Sequence, residues 1–137
     1  MNIFNLFTRR KRHPDAISEI YLAVLYATAP EGLSAEDGFA LRDIINAAKP
    51  IGFGFLNPGS FEIFFHGASN GQQQAQQLAD ALSVYALQRG IMPFGTGIAI
   101  GDCIGSLNPE GGFNLHPVGE TISRAMTSAH KAAKRKR

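Results

Sequence analysis

Few residues in this chain have the type and spacing to do chemistry. Three acids, Glu62, Asp102 and Glu120, and one cation, Arg124, precede, interrupt or follow a glycine-rich stretch that reads GTGIAIGDCIG over 95–105. Carboxylates beside a cation are the raw material of a metal-assisted phosphoryl-transfer or hydrolytic site. The spacing argues against it here. Glu62 alternates with Phe61 and Ile63 in a strand-like run and points away from them. Glu120 stands at the start of a helical pattern, where the helix dipole favours an acid. All three acids therefore read as caps or solvated groups. Arg124 is a candidate phosphate contact, although a lone cation in an acidic body reads first as solvent-facing. The histidines His13, His66, His116 and His130 share no ligand spacing, so no metal site is expected. Cys103 has no evident activating base and reads as a buried, inert thiol. The glycines contain G-x-G-x-x-x-G but lack the GK[ST] ending of a phosphate loop. No nucleophile is paired with a base.

The elements that would carry these residues follow from periodicity. ISEIYLAVLYAT (17–28) is rich in β-forming types and predicts a first strand, punctuated by PEGL. Ser34 stands three residues before Asp37, like a capping box, and Leu41, Ile44, Ile45 and Ala48 follow at helical spacing. This predicts a helix over 34–49, limited by Pro50. IGFGFLNPGSFEIFF predicts a hairpin turning at Asn57-Pro58-Gly59. A second helix starts near Asn70, with Ala75, Leu78, Ala79, Leu82, Tyr85 and Ala86 on one face and Gly90 as its stop. In MPFGTGIAIGDCIG, Met92, Phe94, Thr96, Ile98 and Ile100 alternate with Gly95, Gly97, Ala99 and Gly101. This is a strand whose glycine face admits a helix or a ligand closely. NPEGG then reads as a loop. A last helix is expected from about Gly119 to Ala133, with Ile122, Ala125, Met126 and Ala129 inward. The expected fold is α+β: a ferredoxin-like βαββαβ antiparallel sheet with helices on one face, plus a C-terminal helix.

Charge divides the chain into three parts. A basic N-terminal arm (1–14) carries Arg9, Arg10, Lys11 and Arg12 behind an apolar tip. A single domain (15–133) follows, and a basic C-terminal tail (134–137) holds Lys134, Arg135, Lys136 and Arg137. The net charge of +2 conceals a body, Asp15 to His130, with four basic and all eleven acidic residues, a balance of −7. Affinity for nucleic acid or anionic lipid would therefore reside in the ends. One cysteine precludes an intrachain disulfide and suits a reducing compartment. No apolar run approaches the roughly 18 residues of a membrane span. MNIFNLF has its charges on the wrong side for a secretory signal. A cytoplasmic protein is expected, with membrane-peripheral contact through the arm as a variant.

Four phrases in order then resemble one family. YLAVLYATAP, PGSFEIFFHG, GTGIAIGDCIG and PVGETISRAM are similar to the first strand, the hairpin, the glycine strand and the last helix start of class III adenylate/guanylate cyclase catalytic domains. The likeness covers roughly residues 20–130. It implies a nucleotide-cyclase-like fold that works as a head-to-tail dimer, with two metal-binding aspartates and a transition-state asparagine and arginine. Matched residue by residue, the first aspartate falls on Thr28 and the second on Gly59, or on Ser60 if the turn shifts by one. The asparagine falls on Ser123 and the arginine on Thr127. The purine-selecting lysine and aspartate fall near Phe55 and on His116. A hydroxyl or a hydrogen does not replace a carboxylate as anchor for a hard cation. The chain also ends soon after the last helix, where the family usually continues with another strand pair. The resemblance thus implies a degenerate, shortened cyclase-homology domain that is not an enzyme and needs no cofactor. It would serve as a binding or assembly module, as a homodimer with an unidentified protein partner; nucleotide binding without turnover is a weaker implication. Two other readings use the ends: a nucleic-acid-associated protein on a ferredoxin-like sheet, and a membrane-peripheral adaptor through residues 1–12.

Overall fold

A computed structural model describes residues 17–56 and 59–136. The elements are β1 (Ser18–Thr28), α1 (Ala35–Ala47), β2 (Gly52–Leu56), β3 (Ser60–His66), α2 (Gly71–Arg89), β4 (Gly95–Leu107), β5 (Phe113–Val118) and α3 (Glu120–Lys136). The described residues form an α+β fold, with one five-stranded antiparallel sheet in the order β2-β3-β1-β4-β5 and three helices. No helix among the described residues is long and apolar enough to cross a membrane.

The central strand β1 has no solvated face from Leu22 onward. From Leu22 to Thr28 every residue is buried, as expected where both sides of a sheet are covered. Ala23, Leu25 and Ala27 meet α1 and α2 through Leu41, Ile45, Leu78 and Leu82, joined by Ile63 and Phe65 of β3. Leu22, Val24 and Tyr26 meet Ile122, Ala125 and Ala129 of α3. Thus α1 and α2 share one face, and α3 occupies the other.

The approach of α3 depends on the glycine face of β4. A Cβ on Gly97 would lie 2.2 Å from the Ala125 carbonyl oxygen, and one on Gly95 would lie 2.5 Å from that of Ala129. Backbone therefore packs on backbone, which only glycine permits. The large residues at even positions, Ile98 and Ile100, turn to the α1/α2 face.

Local signals explain the helix ends. Ser34 Oγ accepts from the Asp37 amide at 3.1 Å, and the Asp37 carboxylate accepts from the Ser34 amide at 3.0 Å, completing a capping box. Gly90 ends α2 in the left-handed region, φ 69°. Asp37 does more than cap. It is buried, accepts from Arg89 Nε at 2.9 Å and from the Tyr85 hydroxyl, and so ties α1 to the end of α2.

Two expectations need correction. The expected element order, which has no strand between the NPEGG loop and the last helix, lacks one: Phe113–Val118 forms β5 on the end of β4, through a ladder with register shifts. Those irregularities, with Pro117 unable to donate, hide the strand from a period-2 test. The last helix also runs through Lys136, so Lys134 and Arg135 belong to α3, where the charge pattern predicts a tail. Arg9, Arg10, Lys11, Arg12 and Arg137 lie outside the described residues, as do Asn57 and Pro58 of the hairpin turn.

Two outcomes follow from this packing. Gly97→Ala should destabilise the fold by about 3 kcal/mol, because the obstacle is main chain, whereas Gly38→Ala in α1, with open space around it, should add about 0.5–1 kcal/mol; denaturant unfolding of both variants checks this. The Tyr85 hydroxyl, then the Ser34 amide and Arg89, hold the Asp37 carboxyl well below its ordinary value of 3.8. A carboxylate with a depressed folded pKa contributes stability that is complete above the unfolded value and is lost as pH falls below it. Melting temperature should therefore decline below pH 4, and Asp37→Asn should lower stability at neutral pH while flattening that acid limb.

Candidate functional site

The residues matched to cyclase chemistry separate into two groups. Thr28 closes β1 opposite Ser60 and Gly95. It is buried, and its hydroxyl donates to the Gly95 carbonyl at 3.4 Å. Gly59 adjoins it, its carbonyl accepting from the Ala29 amide at 2.6 Å, and it adopts φ 80°. These two positions share one end of the sheet.

Ser123 and Thr127 lie on the exposed side of α3. They line a cleft of about 630 Å³ with Glu120, Arg124 and Ser128, across from Gln72 at the start of α2; its floor is Ile98, Ala99 and Ile100 of β4. Neither Thr28 nor Gly59 lines this cleft.

The cleft is built by α3. Its inner stripe, Ile122, Ala125, Ala129 and Ala133, is buried against β4 and β1. Helical spacing then turns 120, 123, 124, 127 and 128 outward along the β4 margin. Arg124 is exposed and its Nη2 donates to the Ile100 carbonyl at 3.3 Å. The expected solvent-facing arginine is thus also a main-chain donor to the strand. Thr121, buried beside it, donates to the Asp102 carbonyl at 3.0 Å. The lining offers a guanidinium, an amide and three hydroxyls, with one carboxylate at Glu120, and it holds no histidine or cysteine. Such a set forms hydrogen bonds to a polar ligand.

The acids and the thiol divide as follows. Asp102 and Glu120 are exposed. Among the described residues no group of three or more His, Cys, Asp and Glu is placed to hold a metal ion. Cys103 is buried, as expected, and burial pushes its thiol up in pKa. Glu62 departs from expectation. It does point away from Phe61 and Ile63, but that second face is also covered, and Glu62 is only 8% exposed. Its Oε1 lies 2.6 Å from His116 Nε2; against an ionised carboxylate the imidazole is the donor. Phe64 lies edge-on to both Phe113 and His116, with centroids 5.3 Å apart in each case. Gly52 and Gly54 of β2 leave room for these rings: a Cβ there would stand 3.1 Å from the Phe113 ring and 3.5 Å from His116 Cε1.

Sequence reasoning missed both buried acid clusters. Asp37 meets Arg89 across 52 positions, and Glu62 meets His116 across 54. The first left no local signal. The second left one: Glu62 shares its side of the strand with Phe64, a large apolar residue that demands cover.

No protein-family model matches the chain, and no curated protein matches it. Among solved structures, one that is similar is the crystal structure of the guanylyl cyclase Cya2, at 14% identity and a TM-score of 0.45, covering 85% of this chain and 79% of that one.

Truncating His116 leaves a buried carboxylate without its donor. His116→Ala should cost about 2 kcal/mol, and Glu62→Gln in that background should recover part of it. Chemical unfolding of the single and double variants measures both.

Proposed function

We propose that this chain is a catalytically inactive cyclase-homology domain that serves as a binding and assembly module, as a homodimer. The finer fold assignment belongs to the same proposal: strands β2-β3-β1-β4 with α1 and α2 on one face are read as a ferredoxin-like βαββαβ unit, extended by β5 and α3 in the nucleotide-cyclase manner. The observation that carries the reading is the state of Thr28. At the position matched to a metal-binding aspartate the side chain is buried, short and engaged with a main-chain carbonyl. A carboxylate there would meet the Gly95 carbonyl oxygen, a like partial charge, in a desolvated setting. The second matched position, Gly59, has no side chain. Two-metal phosphoryl chemistry needs carboxylate anchors at both.

The cleft along α3 supports a binding role, since its lining presents hydrogen-bond donors and acceptors on one exposed margin. Purified full-length chain incubated with ATP or GTP and Mg²⁺ or Mn²⁺ should yield no cyclic nucleotide by chromatography. Accumulation of a cyclic product, abolished by substitution of Arg124 or Thr127, would overturn the proposal.

A further inference from the structure

Over its first half, β4 has a strand neighbour on one side only among the described residues. Its pairing with β1 runs from Gly95 to Gly105, but its pairing with β5 begins only at Ile104. The carbonyls of Ile100 and Asp102 point to the open side, since they accept from Arg124 and Thr121 of α3. Main-chain alternation gives Thr96 and Ile98 the same outward direction. Proteins protect such edges with proline, charge, a bulge or brevity. The segment GTGIAIG has no proline and no charge, and its pairing with β1 is in continuous register.

The outward stripe of α3 identifies the occupant. Glu120 stands at its head; Ser123, Thr127 and Ser128 occupy the middle; Lys131 and Lys134 stand at its tail by the same spacing. Arg124 lies one turn from Glu120 in the same stripe, so the head carries one charge of each sign and the tail is basic; reversing the stripe against itself sets its one acid opposite two bases. A two-fold axis opposite Ile98 would set β4 antiparallel to the β4 of a second copy and reverse α3 in the same operation. Glu120 of each copy would then face Lys131 and Lys134 of the other. The dimensions agree. Paired strands lie about 4.8 Å apart. Because α3 rides over β4 and β1 together, the two helix axes would stand about 10 Å apart, a normal packing distance. The small residues Ser123, Thr127 and Ser128 suit that approach. We propose that two copies of this chain join edge to edge through Gly95–Gly101 of β4, forming a continuous ten-stranded sheet with the two α3 helices packed antiparallel on one side. Arg124 then yields the Ile100 carbonyl to the incoming strand. The inference rests on the homodimeric reading above and specifies its interface.

The test uses the full chain at tens of micromolar. Light scattering after size exclusion should give a dimer. Thr96→Pro removes an outward amide that the β1 ladder does not use and should raise the dimer dissociation constant at least tenfold, with an unchanged circular dichroism spectrum. Glu120→Lys should weaken the dimer several-fold, and adding Lys131→Glu with Lys134→Glu should restore it. Thr127→Cys, close to the axis, should form a disulfide-linked dimer on mild oxidation, whereas Gln77→Cys on α2 should not. A dimer that is indifferent to Thr96→Pro and to the charge reversals, and that gives no Thr127→Cys cross-link, overturns this interface and leaves the homodimeric reading standing. A monomer at these concentrations overturns both.

Discussion

Main chain against main chain, α3 on the glycine face of β4, is the contact on which the rest of this molecule depends. Glycine stands at 95 and 97 of the strand and alanine at 125, 129 and 133 of the helix, while at Gly101 the close neighbours are the Thr121 hydroxyl and the Arg124 guanidinium. The gain is dispersion at short range over many atoms, with little apolar area per residue. Such a contact tolerates no added carbon on the strand side, so it fixes the height and rotation of the helix at once. Rotation is the consequential part. With 122, 125 and 129 turned inward, 120, 124 and 128 must lie along the β4 margin, which is why Arg124 and Thr121 reach strand carbonyls.

The opposite face is built by other means. Leu25, Ile63, Phe65, Phe94, Leu41, Ile45, Leu78 and Leu82 interlock there, and volume does the work that closeness does under α3. Buried polar groups hold the two layers in place without an unpaired atom: among the described residues no buried side-chain nitrogen or oxygen lacks a partner. Asp37 serves the α1/α2 layer and Glu62 the α3/β5 layer. Each sits where two elements distant in sequence converge, and each bond made there limits how those elements can slide.

Much of this was legible in the sequence where the signal is periodic. The alternation of glycine with isoleucine over 95–101 announces a strand with one open face, and the spacing of Ile122, Ala125 and Ala129 announces the helix that fills it. Ser34 with Asp37 marks the start of α1, and Gly90 the end of α2, because caps are local chemistry. What stayed hidden was non-local or irregular. The register shifts of β5 break its alternation, and Pro117 reads as a turn residue until a neighbouring strand is seen. Glu62 looked solvated because nothing near it in sequence covers its face; its partner, His116, comes from β5, 54 positions away. For the matched site positions the identities were legible but their grouping was not, since only the fold separates Thr28 and Gly59 from Ser123 and Thr127.

That separation bears on how such a surface can be used. The hydroxyl-lined cleft and the open margin of β4 are one surface, because Ile98 and Ile100 are floor to the first and edge to the second. An extended segment laid along β4 would take the main-chain groups beneath the cleft and draw Arg124 off the Ile100 carbonyl. A small ligand held by Arg124 and the α3 hydroxyls would instead stand where that segment must lie. The two kinds of occupant exclude each other by volume, whichever binds more tightly. On the proposed assembly reading, the surface is therefore committed to a partner strand, and the exposed guanidinium acts as a placeholder that keeps an edge carbonyl satisfied until the strand arrives.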